Sequence, residues 1–346
     1  MATFSQSIFF ILGMSKTRFL KFITISGKNP ETFQKHLKSQ QKFNSKMISI
    51  IITSFKEPLT VGKAIESFLN QDIKVPYEII VSCPDRETAE VVREYCRKYE
   101  QVRDFHDPGI GKMHALNLLF NELKKPEILI LTDGDVFVSS NSVNEILEAF
   151  KDPKIGCVTG KPVSLNQRSS LFGYWSYLLL YGAHRARLKR SNKEKYFTCT
   201  GYLFAFRNNI VKEFQKDIPE DAIIPFIFME EGYKIKYVPE AEVYVKYPDN
   251  FKEWIEQKKR ISKAYVNLEK VTYKGKHVPK MKSFLNEVFE GTLIALTYPK
   301  SLKEFIYTLL LFPARLYMWL KVFQEAKISK KQHTDAWKRV ESTKEL

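Results

Sequence analysis

The sequence predicts an α/β protein in which helices flank a largely parallel sheet. From Ile48 onward, short apolar runs of strand length alternate with amphipathic segments of helix length, and this alternation is typical of such a fold. Residues 128–131 are Ile and Leu only, a run too short for a helix core, which indicates a strand buried on both faces. Polar residues follow three predicted strands, where sheets of this kind bind their ligands.

Composition places the chain among globular proteins with anionic partners. Its 346 residues are 44% hydrophobic and 27% charged, and the net charge is +16. This excess favours nucleotide phosphates, nucleic acid or an anionic membrane without choosing among them. The four cysteines form no C-x-x-C pair and no disulfide pattern. A reducing compartment is therefore expected, and a zinc site is not.

Three regions are predicted. Residues 1–46 have the composition of a poorly ordered leader, and their apolar stretch 7–14 is too short to span a bilayer. One hypothesis places the native start at Met14 or Met47, because the first convincing strand follows Met47. Residues 47–270 form the predicted catalytic domain, and residues 271–346 a C-terminal helical region.

The elements follow from the spacing of apolar residues. The predicted strands are residues 48–53, 77–82, 128–133, 198–206, 234–238 and 242–245. The predicted helices are residues 60–70, 87–99, 112–123, 169–190 and 251–268, followed by two apolar helices within 281–323.

The strand that begins at Ile128 ends in two carboxylates, Asp133 and Asp135, separated by Gly134. Residues i and i+2 of an extended chain point the same way, so both acids can face one point. Two like charges held that close need a cation or a proton between them, and glycine leaves room for a ligand. The pattern favours Mg²⁺ or Mn²⁺ shared with a phosphate-bearing substrate. The alternative is an ordinary turn after a strand.

Two more strand ends and one loop carry candidate ligand-binding groups. The first strand is followed by residues 53–57, T-S-F-K-E, and the second by residues 82–85, S-C-P-D. Residues 106–112, H-D-P-G-I-G-K, precede a predicted helix. Glycines followed by lysine before a helix suit a phosphate, because the helix N-terminus favours an anion. The spacing is not that of a P-loop, so a solvated Lys112 is the alternative.

Five motifs in a fixed order carry a resemblance to a known family. They are I-S-I-I-I-T-S-F-K-E from Ile48, G-K-M-H-A-L-N from Gly111, D-G-D from Asp133, P-E-D from Pro219 and Q-K-K-R from Gln257. The chain resembles the family 2 glycosyltransferases over roughly residues 48–268, and the joint order is more specific than any single motif. The resemblance implies the GT-A fold, a nucleotide-sugar donor and inversion at the anomeric carbon.

The resemblance also implies a role for each matching residue. Asp221 would be the catalytic base, and Asp135 with Asp133 would hold Mg²⁺ or Mn²⁺. Residues on the donor and nucleotide side would be Thr53, Ser54, Phe55, Glu57, Ser82, Lys112, Asp133, Gly134, Asp135 and Arg260. The residues expected on the acceptor side are Gly201, Tyr202, Glu220, Gln257, His184 and Arg185. Of these, His184 and Arg185 come from the basic end of the aromatic helix 169–190, and Gly201 and Tyr202 from the predicted strand 198–206, rather than from the family motifs.

Two departures from the family pattern leave questions open. The family usually has Asp after the second strand, whereas this chain has Ser82-Cys83-Pro84-Asp85, so the choice between UDP and GDP stays open. Ile261 stands where processive members have Trp, which argues against polymer synthesis. Two alternatives also stay open: acids at Glu220 and Asp221 suit any helix N-terminus, and the aromatic helix 169–190 with His184 and Arg185 suits an ordinary buried helix with a basic end.

The composition of the C-terminal region predicts a helix that lies at the membrane interface. Residues 305–320 are apolar, but Pro313 and Arg315 interrupt them, so no clean span of about 20 residues results. Trp, Tyr and flanking lysines suit an interfacial helix, and packing on the catalytic domain is the alternative. Residues 328–346 read as a charged tail.

The sequence thus predicts a metal-dependent inverting glycosyltransferase with a lipid-linked or glycan acceptor. It is expected to be cytoplasmic, peripheral on a membrane, with no nucleic-acid partner. A sugar nucleotidyltransferase is the first alternative, although residues 53–59 lack the glycines that a triphosphate loop needs. A non-enzymatic basic binder of nucleic acid or anionic membrane is the second, and it leaves D-G-D and Asp221 unexplained.

Overall fold

The strand-forming runs assemble into a mostly parallel sheet flanked by helices, as the alternation predicts. A computed structural model describes residues 47–211, 213, 218–268, 271–279, 284–327 and 341–344. The predicted leader, residues 1–46, lies outside the described residues. Residues 47–346 form one compact unit, and the predicted boundary near residue 270 remains a prediction.

Eight strands of the described chain form the central sheet, in the order β3-β2-β1-β4-β7-β6-β8-β5. They are β1 (Ile48–Thr53), β2 (Tyr77–Cys83), β3 (Val102–His106), β4 (Ile128–Asp133), β5 (Val136–Val138), β6 (Ile155–Ser164), β7 (Leu203–Arg207) and β8 (Lys234–Val245). Strands β9 (Thr272–Tyr273) and β10 (Lys276–His277) pair separately.

Helices cover the sheet on both faces and extend beyond it at the C-terminal end. They are α1 (Val61–Leu69), α2 (Arg86–Lys98), α3 (Lys112–Glu122), α4 (Ser142–Ala149), α5 (Leu171–Asn192), α6 (Glu220–Glu230), α7 (Phe251–Leu268), α8 (Phe284–Thr297) and α9 (Leu302–Lys327). A 3₁₀ turn follows at Glu341–Thr343.

The parallel half of the sheet brings the predicted strand ends together. β1 lies between β2 and β4 and pairs parallel with both, so that Thr53 is opposite Ser82 on one side and Asp133 on the other. All six residues of β1 are buried, because helices cover both faces of a parallel sheet. The three polar strand ends therefore share one edge.

Several elements differ from the sequence prediction. β3 was not predicted, because its sequence, V-R-D-F-H, is half polar and the strand lies at the sheet edge, where alternate residues reach solvent. The short β5, the long β6 and α4 were also missed. The predicted strands 234–238 and 242–245 form one strand, β8, whose pairing with β6 shifts register between Thr159 and Lys161. Pro239 lies within that irregular stretch, where strands tolerate proline.

Two further boundaries were wrong. The predicted strand 198–206 begins only at Leu203, and the helix predicted to end at residue 190 continues to Asn192. Pro313 and Arg315 interrupt the apolar run in the sequence, but they do not interrupt the helix: α9 spans 26 residues, Leu302–Lys327, with Pro313 inside it. Buried residues on both sides of Pro313, Leu311 and Met318 among them, pack with Tyr174 and Trp254 of α5 and α7. This packing stabilises α9 although Pro313 has no backbone N–H to donate to the preceding turn.

Helix α9 is apolar on two faces. Its inner face is buried at Leu311, Met318 and Val322. An outer stripe, defined as Leu302, Ile306, Leu309, Leu316, Leu320 and Phe323, is 44–75% exposed. Over Leu302–Glu325 the helix is long and apolar enough to cross a membrane by length and composition alone, and 33% of its most apolar window is buried inside the fold.

The register shift at Gly160 gives a test of the fold. A Cβ at Gly160 would lie 2.4 Å from the backbone oxygen of Ala241 on β8, and backbone in a paired strand cannot move aside cheaply. We expect Gly160→Ala to lower the free energy of unfolding by about 1–3 kcal/mol, measured by urea denaturation. The matched control is Gly182→Ala in α5, where a Cβ meets nothing within 4 Å; it should raise stability by up to about 1 kcal/mol. Equal effects of the two substitutions would contradict the strand register.

Candidate functional site

The site begins where β1 and β4 end side by side. The Thr53 hydroxyl donates a hydrogen bond to Asp133 Oδ1 at 3.1 Å. The backbone N–H of Gly134 donates to the Thr53 carbonyl at 2.9 Å. Thr53 thus fixes both the first carboxylate of D-G-D and the turn that follows it.

The two carboxylates of D-G-D face different cations. Gly134 and Asp135 form the turn between β4 and β5 rather than extended chain. Asp133 Oδ1 accepts a hydrogen bond from Lys112 Nζ at 2.9 Å, whereas Asp135 Oδ2 accepts one from Lys344 Nζ at 2.5 Å. The alternation argument made for an extended strand therefore does not hold at Asp135, because the chain turns there.

Glycine at position 134 is required by neighbouring protein side chains. A Cβ there would lie 2.3 Å from Ser54 Oγ and 2.6 Å from Glu57 Oε2, well inside van der Waals contact. The sequence predicted room for a ligand; the structure fills that room with the serine and glutamate of the loop after β1.

That loop places a third carboxylate beside Asp135. Glu57 is 1% exposed, accepts a hydrogen bond from Ser54 Oγ at 2.7 Å and donates its N–H to Thr88 Oγ1 at 2.9 Å. Burial raises the pKa of Glu57 to about 7; Asp135 raises it too, and Lys344 opposes them. Asp85, the N-cap of α2, accepts the Lys56 N–H at 2.7 Å. The loop is therefore held from two sides, and Glu57 faces Asp135.

Lys112 joins the end of β4 to the start of α6. Its ammonium lies 2.9 Å from Asp133 Oδ1 and 2.6 Å from Glu220 Oε1, and its side chain is 9% exposed. Burial alone would lower the pKa of Lys112, but the two carboxylates raise it above its usual value, so it is charged. Gly111, with φ of 127°, precedes Lys112 and allows the turn into α3. Both carboxylates hold the lysine that the sequence predicts to approach a phosphate.

Asp221 lies in the first turn of α6, directly after Glu220. Its backbone carbonyl accepts the Cys199 N–H at 2.8 Å, and its Oδ2 lies 3.9 Å from the Cβ position of Gly201. The next residue, Tyr202, accepts the Thr132 hydroxyl on its carbonyl at 2.7 Å. The helix turn that carries Asp221 is therefore connected to the end of β4 by this loop and, through the neighbouring Glu220, by Lys112.

The loop beside Asp221 is held by a residue that the sequence did not single out for this role. Arg187 of α5 is buried, and its guanidinium donates to the carbonyls of Thr198 at 3.1 Å and Cys199 at 3.2 Å. The ring of Tyr202 packs against Tyr247 with centroids 6.2 Å apart.

Two of the predicted site residues are buried, and each has one polar side-chain atom without a hydrogen bond to the described residues. Ser82 Oγ and Gln257 Oε1 have no hydrogen-bond partner among the described residues. Buried polar groups normally have hydrogen-bond partners, so these two atoms are exceptions among the predicted site residues. Ser82 ends β2 next to Thr53, and Gln257 lies on α7.

The remaining predicted residues are less tied to this cluster. His184 shares a hydrogen bond with the Tyr237 hydroxyl at 2.8 Å; burial lowers its pKa, as do nearby Lys161, Arg185 and Arg187. Arg185 is exposed and donates to the hydroxyl of Tyr181 at 3.4 Å. Arg260 is half-buried on α7. Phe55 is half-buried, with the Lys56 ammonium 5.4 Å from its ring centroid.

Lys344 is the site residue that sequence reasoning missed. Its side chain is 9% exposed and its ammonium donates to Glu57 Oε1 and to Asp135 Oδ2. Burial alone would lower the pKa of Lys344, and Asp135 and Glu57 raise it above its usual value. A lone lysine in a charged tail gives no periodicity or motif from which this contact could be predicted.

The carboxylates Asp135 and Glu57 fit a divalent cation. Among the described residues, no group of three or more His, Cys, Asp or Glu converges as a complete metal site. Two carboxylates do converge on one cation, the Lys344 ammonium. Mg²⁺ is commonly held by one or two carboxylates with substrate phosphates completing its shell. The oxygen donors present match that mode of binding.

Comparisons with known proteins identify the family of this chain. The sequence model described as "Glycosyltransferase like family 2" matches residues 45–264. The Bacillus subtilis protein named "Probable glycosyltransferase YdaM" is 25% identical over 229 residues, covering 62% of this chain and 54% of that protein. A poly-beta-1,6-N-acetyl-D-glucosamine synthase of Staphylococcus aureus strain COL is 26% identical over 257 residues, covering 70% of this chain and 59% of the synthase. The chain spans between half and three fifths of the length of these relatives.

A solved structure shows the same fold. The mannosyltransferase PcManGT from Pyrobaculum calidifontis, in complex with GDP-Man and Mn²⁺, superposes with a TM-score of 0.50 at 16% identity, covering 82% of this chain and 81% of that one. The predicted GT-A fold is confirmed by this likeness. Because the family model covers more than half of its residues, this chain belongs to glycosyltransferase family 2 and is a glycosyltransferase.

Proposed function

We propose that the protein is a metal-dependent inverting glycosyltransferase that moves a sugar from UDP or GDP to a hydroxyl acceptor. One observation supports this most directly: the Lys112 ammonium bridges Asp133 and Glu220. It connects the D-G-D strand end to the helix turn that carries Asp221. The Asp133 carboxylate and the helix turn that carries the candidate base are thereby joined by one charged group, and a single-displacement reaction needs its base and its donor site near each other.

Asp221 is the proposed general base. It takes the proton of the acceptor hydroxyl as the acceptor oxygen bonds to the anomeric carbon, while the bond from that carbon to the diphosphate oxygen breaks. The nucleotide diphosphate leaves with the bonding electron pair, and the configuration inverts. Arg187 keeps the Thr198–Cys199 carbonyls in place beside Asp221, which positions the base rather than taking part in the chemistry.

The donor side is assigned by charge. Asp135 and Glu57 would hold Mg²⁺ or Mn²⁺, which supplies positive charge to the diphosphate leaving group. Asp133 is proposed to contact the sugar or ribose, and Lys112 and Arg260 the phosphates. Ser82 Oγ, buried without a partner, is proposed to bind the nucleobase. The PcManGT complex contains GDP-Man and Mn²⁺, a precedent for both ligands on this fold.

The acceptor is proposed to be a glycan or lipid-linked sugar at the cytoplasmic face of a membrane. Relatives of this chain include synthases of a poly-N-acetylglucosamine. The outer stripe of α9 leaves six large apolar side chains exposed, which suits an interfacial helix. An open apolar groove of about 330 Å³ lies beside it, lined by Leu171, Trp175, Phe251, Leu310, Pro313, Ala314 and Tyr317.

Two substitutions separate the proposed base from the proposed metal ligand. We expect Asp221→Asn to reduce turnover by about 100-fold or more, the usual effect of losing a general base, without loss of Mn²⁺-dependent nucleotide binding. Asp135→Ala should abolish both turnover and Mn²⁺-dependent nucleotide binding. Turnover is measured as UDP or GDP release in a donor screen, and binding by calorimetry with each nucleotide and Mn²⁺.

Asp72→Asn is the control for this pair, because Asp72 is exposed and bonded to Lys74; it should leave both measurements unchanged. Transfer at the wild-type rate by both site variants would show that the residue assignment is wrong.

Membrane association is tested by flotation on liposomes of phosphatidylcholine and phosphatidylglycerol. The wild type should float at low salt, and Leu309→Asp with Leu316→Asp should abolish flotation, because two charges in the outer stripe oppose burial among acyl chains. Leu165→Asp, at an exposed leucine outside α9, should float like the wild type. Failure of the wild type to float at low salt ends the membrane proposal.

A further inference from the structure

The segment Glu341–Lys344 lies inside the donor side of the site. Thr343 and Lys344 are 4% and 7% exposed, although the surrounding sequence is that of a charged surface tail. Ser342 donates its backbone N–H to Glu253 Oε2 of α7 at 3.2 Å, and its hydroxyl donates to the same oxygen. The segment is therefore anchored to α7 independently of Lys344.

The Lys344 ammonium occupies the space between two carboxylates. It donates to Asp135 Oδ2 at 2.5 Å and to Glu57 Oε1. Glu57 Oε2 in turn accepts from Ser54 Oγ, so both Glu57 oxygens are used. Without a cation or a proton there, these carboxylates would repel one another in a largely buried setting. In the arrangement described, Lys344 is the group that neutralises them.

We propose that Lys344 is a built-in competitor for the divalent cation, holding the cation position between Glu57 and Asp135 until metal and donor are bound. This rests on the proposed function, in which Asp135 holds the metal. An ammonium and a divalent cation cannot share these two carboxylates, because the two positive charges repel one another and need the same oxygens. Segment Glu341–Lys344 has to withdraw before Asp135 can accept a metal.

The competition has a thermodynamic consequence. When a binding-competent state is only a fraction of the population, the apparent affinity falls by that fraction. Lys344 therefore weakens Mn²⁺ binding in the donor-free enzyme. Any partner or covalent change that removed the segment from the site would increase the loading of metal at a fixed concentration.

The first test measures Mn²⁺ binding to the donor-free protein, using the electron paramagnetic resonance signal of free Mn²⁺. Lys344→Ala should bind Mn²⁺ about tenfold more tightly than the wild type, since a hydrogen-bonded competing charge is lost. Ser342→Ala, which removes one contact to Glu253, should have a smaller effect in the same direction. Lys98→Ala removes an exposed positive charge from the end of α2 and should leave the affinity unchanged.

The second test uses the wild-type protein, so it does not depend on how a variant folds. Hydrogen–deuterium exchange followed by mass spectrometry should show the Ser342 amide protected in the donor-free protein. Addition of Mn²⁺ with UDP or GDP should increase exchange in the peptide that contains residues 341–344. Unchanged or greater protection on addition of both ligands would overturn the proposal.

Asp135→Ala distinguishes this proposal from the one on which it rests. If Asp135→Ala binds Mn²⁺ as the wild type does, the metal site itself is wrong. If Asp135→Ala loses Mn²⁺ binding while Lys344→Ala binds it as the wild type does or more weakly, the metal site stands and the competition by Lys344 is refuted.

Discussion

Carboxylates crowded at one sheet edge are the constraint on which this site depends. Glu57, Asp133, Asp135 and Glu220 are each at most half-exposed, and two ammonium groups, from Lys112 and Lys344, are hydrogen-bonded among them. Buried charges are stable only when they are paired. The two ammonium groups therefore determine which carboxylates can lie close together in the site.

The two lysines are held by different parts of the chain. Lys112 begins α3 and bridges β4 to α6, so its removal would leave the charges of Asp133 and Glu220 without this cation. Lys344 comes from a short segment held by Ser342 and Glu253, and in the proposal above a divalent cation takes its place at Asp135 and Glu57. On that proposal, cation binding depends on the position of the segment Glu341–Lys344.

The C-terminal helices add an exposed apolar surface to the fold. Trp175 of α5 donates its indole N–H to the Tyr307 carbonyl at 2.7 Å, and Arg168 pairs with Glu304 at 2.8 Å. These contacts fix α9 against α5 with the outer stripe facing away. The fold of this family 2 glycosyltransferase is thereby joined to an apolar surface, which supports the proposal that its acceptor lies at a membrane.

Local pattern alone determined much of the fold and the composition of the site. The buried runs of β1 and β4, the bounds of α7, D-G-D and the order of the five motifs are all readable along the chain, because each depends on neighbouring residues. Pattern failed for β3, whose polar residues are tolerated because the strand lies at the edge of the sheet. The loop before Leu203 was also misread, since Arg187 rather than a strand partner binds its carbonyls.

Only the tertiary structure decided which charges meet. The sequence could not show that Gly134 is required by Ser54 and Glu57, that Asp133 and Asp135 face different lysines, or that Lys344 lies 209 residues from its partner Asp135 in the chain. Contacts between residues so far apart depend on how strands and helices are ordered in space. Periodicity reports only what a residue's neighbours in sequence do, whereas a buried charge is stabilised by whichever opposite charge the fold brings to it.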